Sequence, residues 1–263
     1  MGSATTQAIA AGREALAQAT GDAFVLGREL IAARDTIAGA AQLKAVLADA
    51  AAAPATKSAL VDKAFAGFGA PTRDVLQRVA EARWSKADDL LAGLEELGIR
   101  AMAASLADGD VAIQELAAFQ KAVSADADLE YAVGSALVPG TEKAAVVERL
   151  LTDKATPQTI AILAALVSRS NGRRIGGMIK RATSLVADQS GRAVAEVHTA
   201  TALDAAQAER LRATIAAAEQ RDVVLTQIVD PALIGGVRVV IGDRVIDGSV
   251  ATRLTDLRLA LVG

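Results

Sequence analysis

Between Thr6 and about Ala187 the apolar positions recur at intervals of three and four residues, as they do along one face of an α-helix. Leu26, Leu30, Ile31 and Ile37 form one such stripe, Leu43, Val46 and Leu47 a second, and Leu60, Val61 and Phe65 a third. Turn-forming and helix-breaking residues punctuate the pattern at Gly21-Asp22, Pro54, Gly67 to Pro71, Gly98, Asp108 to Asp110, Pro139-Gly140, Pro157 and Asn171-Gly172. The spacing predicts about ten to twelve helices of modest length joined by short loops, a bundle and not a coiled coil.

After Asp188 the period changes. Ala193 to Thr199 alternates as a strand, and Asp204 with Gln207 three residues on has the form of a capping box opening a helix through Ala208, Leu211 and Ile215. Val223 to Leu225 begins a second strand. Val237, Val239 and Ile241 recur at period two, Gly242-Asp243 supplies a tight turn, and Val245-Ile246 starts the return strand. Beyond Asp247-Gly248, Ser249 stands where a hydroxyl caps a closing helix with Val250, Leu254, Leu257 and Leu261 on one face. The order β-α-β-β-β-α describes a small α+β domain, with Asp188 to Gly191 as its linker.

The helical part carries a repeat. Sliding the chain on itself by 86 residues aligns Glu29-Leu30 with Glu115-Leu116, Leu43 with Leu129, Lys57 with Lys143, Val61 with Val147, Pro71 with Pro157 and Arg83 with Arg169. The breakers keep the same register. Together these features predict a mainly α chain of two consecutive helical bundles and a small α+β domain. The expected units are residues 1–93, residues 94–187 as a repeat of the first, and residues 188–263.

Composition narrows the function more than the fold. The 263 residues are 52% hydrophobic but only 2% aromatic, so the core is built from aliphatic side chains. The absence of cysteine excludes disulfides and thiolate metal sites. Lys and Arg number 28 against 31 Asp and Glu, interspersed along the chain, which leaves no electrostatic footprint for nucleic acid. No signal peptide is read at the start, and no apolar run approaches the ~20 residues of a membrane-spanning helix.

Candidate chemistry is sparse. His198 is the one histidine, with no nucleophile motif or second ligand nearby in sequence. The glycines at Gly235, Gly236 and Gly242 match no phosphate-binding spacing and read as turns. Asn171-Gly172-Arg173-Arg174 reads as a helix end followed by solvated arginines, and Asp126 with Asp128 lacks the closing Glu of a calcium loop. Trp84 and Tyr131 read as core or subunit contacts. No catalytic residue, cofactor site or metal site is expected.

The C-terminal stretch is similar to the signature of the δ-subunit family of the F-type ATP synthase, known as OSCP in mitochondria. The matching residues are Asp230, Ile234-Gly235-Gly236, Ile241-Gly242-Asp243, Val245-Ile246-Asp247-Gly248-Ser249 and Arg253-Leu254. Upstream the likeness runs through Asn171-Gly172-Arg173, Ala195-Glu196-Val197 and Ala200 to Leu203. The resemblance implies a non-enzymatic stator subunit, peripheral on the cytoplasmic face of a bacterial plasma membrane and attached through its complex. It implies that a six-helix bundle holds N-terminal segments of the α subunits, in a groove between its first and fifth helices. It also implies that the C-terminal domain engages the b subunits of the peripheral stalk. Carried to the second unit, the groove helices fall at residues 94–106 and 157–168, which puts Met102, Leu163 and Val167 forward for the α contact. Leu254, Leu257 and Leu261 are the corresponding residues for the stalk. Two other readings compete: a free-standing helical adaptor with two partner-binding bundles, and an enzyme built on scattered carboxylates and His198.

Overall fold

The computed structural model describes residues 2–170, 174–242, 244–250, 252 and 254. Eleven helices come first: α1 (Ser3–Gln18), α2 (Ala23–Gly39), α3 (Ala41–Ala48), α4 (Pro54–Ala64), α5 (Ala70–Glu81), α6 (Ala87–Ala104), α7 (Gly109–Ala125), α8 (Ala127–Gly134), α9 (Gly140–Leu151), α10 (Pro157–Ser168) and α11 (Ile175–Gln189). Many of the breakers act as caps. Asp22 accepts from the N–H groups of Phe24 and Val25, Asp108 from Asp110, and Thr156 from Thr159, while Pro71 and Pro157 sit in first turns where no intrahelical donor is lost. Asp126 caps α8 through Asp128 and Leu129, which accounts for the pair of aspartates there.

The packing repeats with a shift of five helices. α1 lies against α5 and α6, α2 against α3, α5 and α6, and α4 against α5. In the same way α6 lies against α10 and α11, α7 against α8, α10 and α11, and α9 against α10. The last helix of the first bundle is therefore also the first helix of the second. The boundary expected after residue 93 falls inside α6, which runs unbroken from Ala87 to Ala104. Leu90, Leu94, Leu97 and Ala101 of α6 join a core with Leu26, Leu30, Ile37, Leu47, Val61, Phe65 and Val79. Ile99, Met102 and Ala103 join a second core with Ile113, Leu116, Val147, Ile162, Leu166, Ile179 and Val186. Each such aliphatic side chain contributes about 1.5–3 kcal/mol of transfer free energy.

A glutamate and a lysine recur at the same 86-residue offset, each with different partners in the two bundles. The Glu29 carboxylate accepts from the Gly69 N–H and the Thr72 hydroxyl, and that of Glu115 from the N–H and hydroxyl of Thr156. Lys57 donates its ammonium to the Ala80 carbonyl, and Lys143 donates to the Ser135 carbonyl and the Ser170 hydroxyl. Burial pushes both lysines below the usual amine range.

The C-terminal domain comprises β1 (Ala193–Thr199), α12 (Ala205–Glu219), β2 (Val223–Val229), β3 (Val237–Ile241) and β4 (Arg244–Asp247), in sheet order β2-β1-β3-β4. The parallel pair β1 and β2 needs a crossover, and α12 supplies it behind the expected Asp204/Gln207 capping box. Ala195, Val197, Val239 and Ile241 form a small core with Ile215 of α12. Across the sheet, α11 packs on β1 and α7 on β2, helped by a Lys180 to Glu196 ion pair of 2.9 Å. The linker expected at residues 188–191 is shorter than the sequence suggests, because α11 continues to Gln189 and Gly191 turns the chain at φ +70°. Of the closing helix, Val250, Thr252 and Leu254 are helical among the described residues.

Candidate partner interface

From Leu90 to Ala103 most of α6 is buried, its side chains shared between the two cores. Its crossing with α2 is a close one. A Cβ on Gly27 would lie 2.7 Å from the Gly98 carbonyl oxygen, and one on Gly98 would lie 2.8 Å from the Cγ1 of Ile31, so neither position admits a methyl group. Around this contact Arg100 donates to Glu96 at 3.0 Å and to Asp188 at 2.7 Å. Arg181 reaches the second Glu96 oxygen at 3.2 Å, and Arg13 lies 3.5 Å from Asp188. These five side chains tie α1, α6 and α11 together. Beyond the crossing, the Arg169 guanidinium, 5% exposed, grips the Asp35 carboxylate with two 2.5 Å hydrogen bonds and so binds α2 to the end of α10. Burial raises the Asp35 pKa, but the hydrogen bonds and charge of Arg169 outweigh it and hold the carboxyl below its usual range. None of these partners was evident from sequence. The repeat singled out Arg169 as the mate of Arg83, but an ion pair spanning 134 residues leaves no local signal.

The residues put forward for the α contact lie inside. Met102 is 1% exposed, and Leu163 and Val167 are 0% exposed, all within the second core. An apolar i, i+4 spacing looks the same whether the stripe lines a groove or fills a bundle, and here it fills one. Of those put forward for the stalk, Leu254 is 56% exposed, whereas Leu257 and Leu261 lie outside the described residues.

The C-terminal signature makes a closed double turn. Gly236 has φ +80°, and a Cβ there would meet the Gly248 oxygen at 2.5 Å. The Gly248 N–H donates to Val237 and the Val250 N–H to Gly235, stapling the turn before β3 onto the turn after β4. The Ser249 N–H donates to Asp247 at 2.8 Å and holds its carboxyl below the usual range, while the Ser249 hydroxyl accepts from the Thr252 N–H. Asp230 accepts from the Ala232 N–H and donates its own N–H to Thr199. Gly242 turns the hairpin at φ +57°; Asp243 lies outside the described residues, as do residues 171–173. All of β4 is exposed, and Val245, Ile246, Ile234, Val250 and Leu254 leave an apolar rim on this edge of the sheet.

His198 lies in β1 with its Nε2 4.0 Å from a Glu196 oxygen. Among the described residues no three His, Asp or Glu side chains converge as a metal-holding group, and no helix is long and apolar enough to cross a membrane. The Trp84 indole donates to the Val79 carbonyl within the first core, whereas Tyr131 is 63% exposed.

The pattern of the ATP synthase delta (OSCP) subunit family matches residues 101–261. The chain belongs to that family. Its match begins near the end of α6, so it takes in most of the second bundle and the C-terminal domain and leaves the first bundle outside. The ATP synthase subunit delta of Leifsonia xyli subsp. xyli is 47% identical over 264 residues, 100% of each chain. That of Streptomyces griseus is 32% identical over 271 residues, again 100% of each. The first bundle thus has a counterpart in full-length delta subunits. A chain of the Toxoplasma gondii mitochondrial ATP synthase hexamer aligns with 57% of this chain and 85% of its own at 21% identity and a TM-score of 0.39, a likeness too slight to add to the assignment.

Proposed function

We propose that the chain is a non-catalytic stator subunit of a bacterial F-type ATP synthase. It links the N-terminal segments of α subunits at the top of the catalytic head to the b subunits of the peripheral stalk, so that proton-driven rotation yields ATP. It works on the cytoplasmic face of the plasma membrane, held there through the complex. The observation that carries this reading is kinship over the whole of both chains, at 47% identity, with a protein named ATP synthase subunit delta. The physical design agrees. A stator must carry torque without yielding, and a helix shared by two cores lets neither bundle move without the other. The apolar rim with Leu254 is the proposed stalk contact, for which the family resemblance also puts forward Leu257 and Leu261. Membranes stripped of this subunit are expected to lose proton-driven ATP synthesis and to regain it when the purified chain is added back, with α and b subunits co-purifying. Normal coupling without the chain would overturn the proposal.

A further inference from the structure

Where the end of α1 and the start of α2 meet the second half of α6 and the end of α11, the chain leaves a cleft of about 500 Å³. That volume is ordinary for small-molecule sites, which span about 300–1,000 Å³. Leu16, Ala17, Leu26, Ala101 and Ala104 make its trough apolar, while Arg13, Arg100 and Gln189, gathered around Asp188, make its polar side. Arg100 is 4% exposed. It donates Nε to Glu96 and Nη1 to Asp188, which leaves Nη2 without a hydrogen-bond acceptor among the described residues. Arg13 approaches Asp188 at 3.5 Å and makes no hydrogen bond among the described residues. With Arg181, three guanidiniums share the two carboxylates of Glu96 and Asp188, so one positive charge of the cluster is left over. The repeated framework does not require these arginines. Their mates 86 residues on are Ile99 and Val186, 2% and 0% exposed in the second core.

We propose that this cleft binds a small amphiphilic monoanion, a carboxylate with a short apolar body. Its oxygens accept from Nη2 of Arg100 and from Arg13, a planar pairing for which guanidinium is suited and ammonium is not. Its body lies along the trough of Leu16, Ala17, Ala101 and Ala104. A nearly buried guanidinium nitrogen without an acceptor carries a desolvation cost, and a ligand oxygen removes it. The single unmatched charge favours a head with one negative charge, and Glu14 on the exposed rim repels a second. A molecule seated here touches α1, α6 and the end of α11 together, so its binding clamps the first bundle to the shared helix and to the entry of the C-terminal domain. The inference concerns the chain alone and does not rest on the stator reading.

Titration of the full chain with octanoate, kept below its micelle concentration, is expected to give saturable binding by calorimetry, with amide shifts at Ala17, Ala101 and Gln189. Octylamine, equal in length and opposite in charge, should not bind, and acetate should bind far more weakly for want of a body. Arg13→Gln is expected to weaken octanoate about tenfold, the worth of one charge-assisted hydrogen bond. Its melting curve should be unchanged, because half of the Arg13 side chain is exposed and its one ion pair is long. Ala104→Leu, at an exposed position, should fill the trough and block binding without unfolding the chain. Neither variant disturbs Arg100, whose removal would strand Glu96 and Asp188. No saturable binding, equal binding of octylamine, wild-type affinity in both variants, or shifts confined to the apolar rim around Val245 and Leu254 would overturn the assignment. Inorganic phosphate displacing octanoate at equal concentration would overturn it too, by showing a bare oxyanion site. Each of these outcomes leaves the stator reading where it stands.

Discussion

The first and second bundles share a plan but differ in what their surfaces meet. Both place a glutamate from the second helix on the start of the fifth, and both bury a lysine at the same offset. The second bundle has a neighbour along its α6/α10 groove, and its groove positions are Ala164 and Val167; the first has no element of the chain there among the described residues, and its positions are Arg78 and Glu81. The same backbone site thus changes from charged to apolar when a helix covers it, because an uncovered apolar stripe costs solubility and a covered charge costs desolvation. Reading partner sites from apolar spacing therefore favours the groove that is already filled.

The largest expected effect comes from removing the cover. A chain beginning at Ala87 keeps α6 intact but exposes Ile99, Met102 and Val167, so it should bind a hydrophobic dye and lose a cooperative melt. A sharply melting, dye-silent product would show that the second bundle does not depend on α2. Next is Gly27→Val, whose side chain would press on the Gly98 carbonyl and should cost about 3 kcal/mol in denaturant unfolding. Gly39→Ala, at the open end of the same helix, should be neutral or slightly stabilising. Equal effects at the two glycines would mean that the bundles do not press together at the crossing. Gly236→Val tests the region outside the comparison. It combines a positive φ with a backbone clash and should cost about 2 kcal/mol, seen as lost amide protection in the sheet alone.

The smallest effect is expected from Asp35→Asn. Removing one partner of a fully buried pair costs about 3–5 kcal/mol, but the Asp35 side chain is 48% exposed, so about 1–2 kcal/mol is expected here. Its folded pKa lies below the unfolded value of 3.8, so its stabilisation is complete above pH 3.8 and is lost as pH falls through the folded pKa. The variant should therefore show a shallower loss of stability below pH 3.8 than the parent. Parallel curves would show that the ion pair does not hold α2 to α10.

Much of this was legible in the sequence for local reasons. The Asp204/Gln207 capping box, the turn at Gly242 and the strand alternation from Ala193 depend on residues a few positions apart, and so does the family signature around Gly236 and Ser249. The candidate site was less legible. Met102, Leu163 and Val167, put forward for the α contact, are buried in the second core; helical periodicity says which residues share a face but not what lies opposite. Ile31 shows the same limit: its spacing joins it to Leu30, yet the two side chains enter different cores.

The sequence by itself determined the helices, the 86-residue repeat, the small mixed domain and the family, all of which rest on short-range pattern or on motif. Only the tertiary structure decided that the repeats overlap in α6, that α2 closes one of two equivalent grooves, and that Asp35 reaches Arg169 across 134 residues. Those outcomes depend on how two finished bundles fit against each other, and the close crossing at Gly27 and Gly98 is set by shape in three dimensions, which no spacing along the chain encodes.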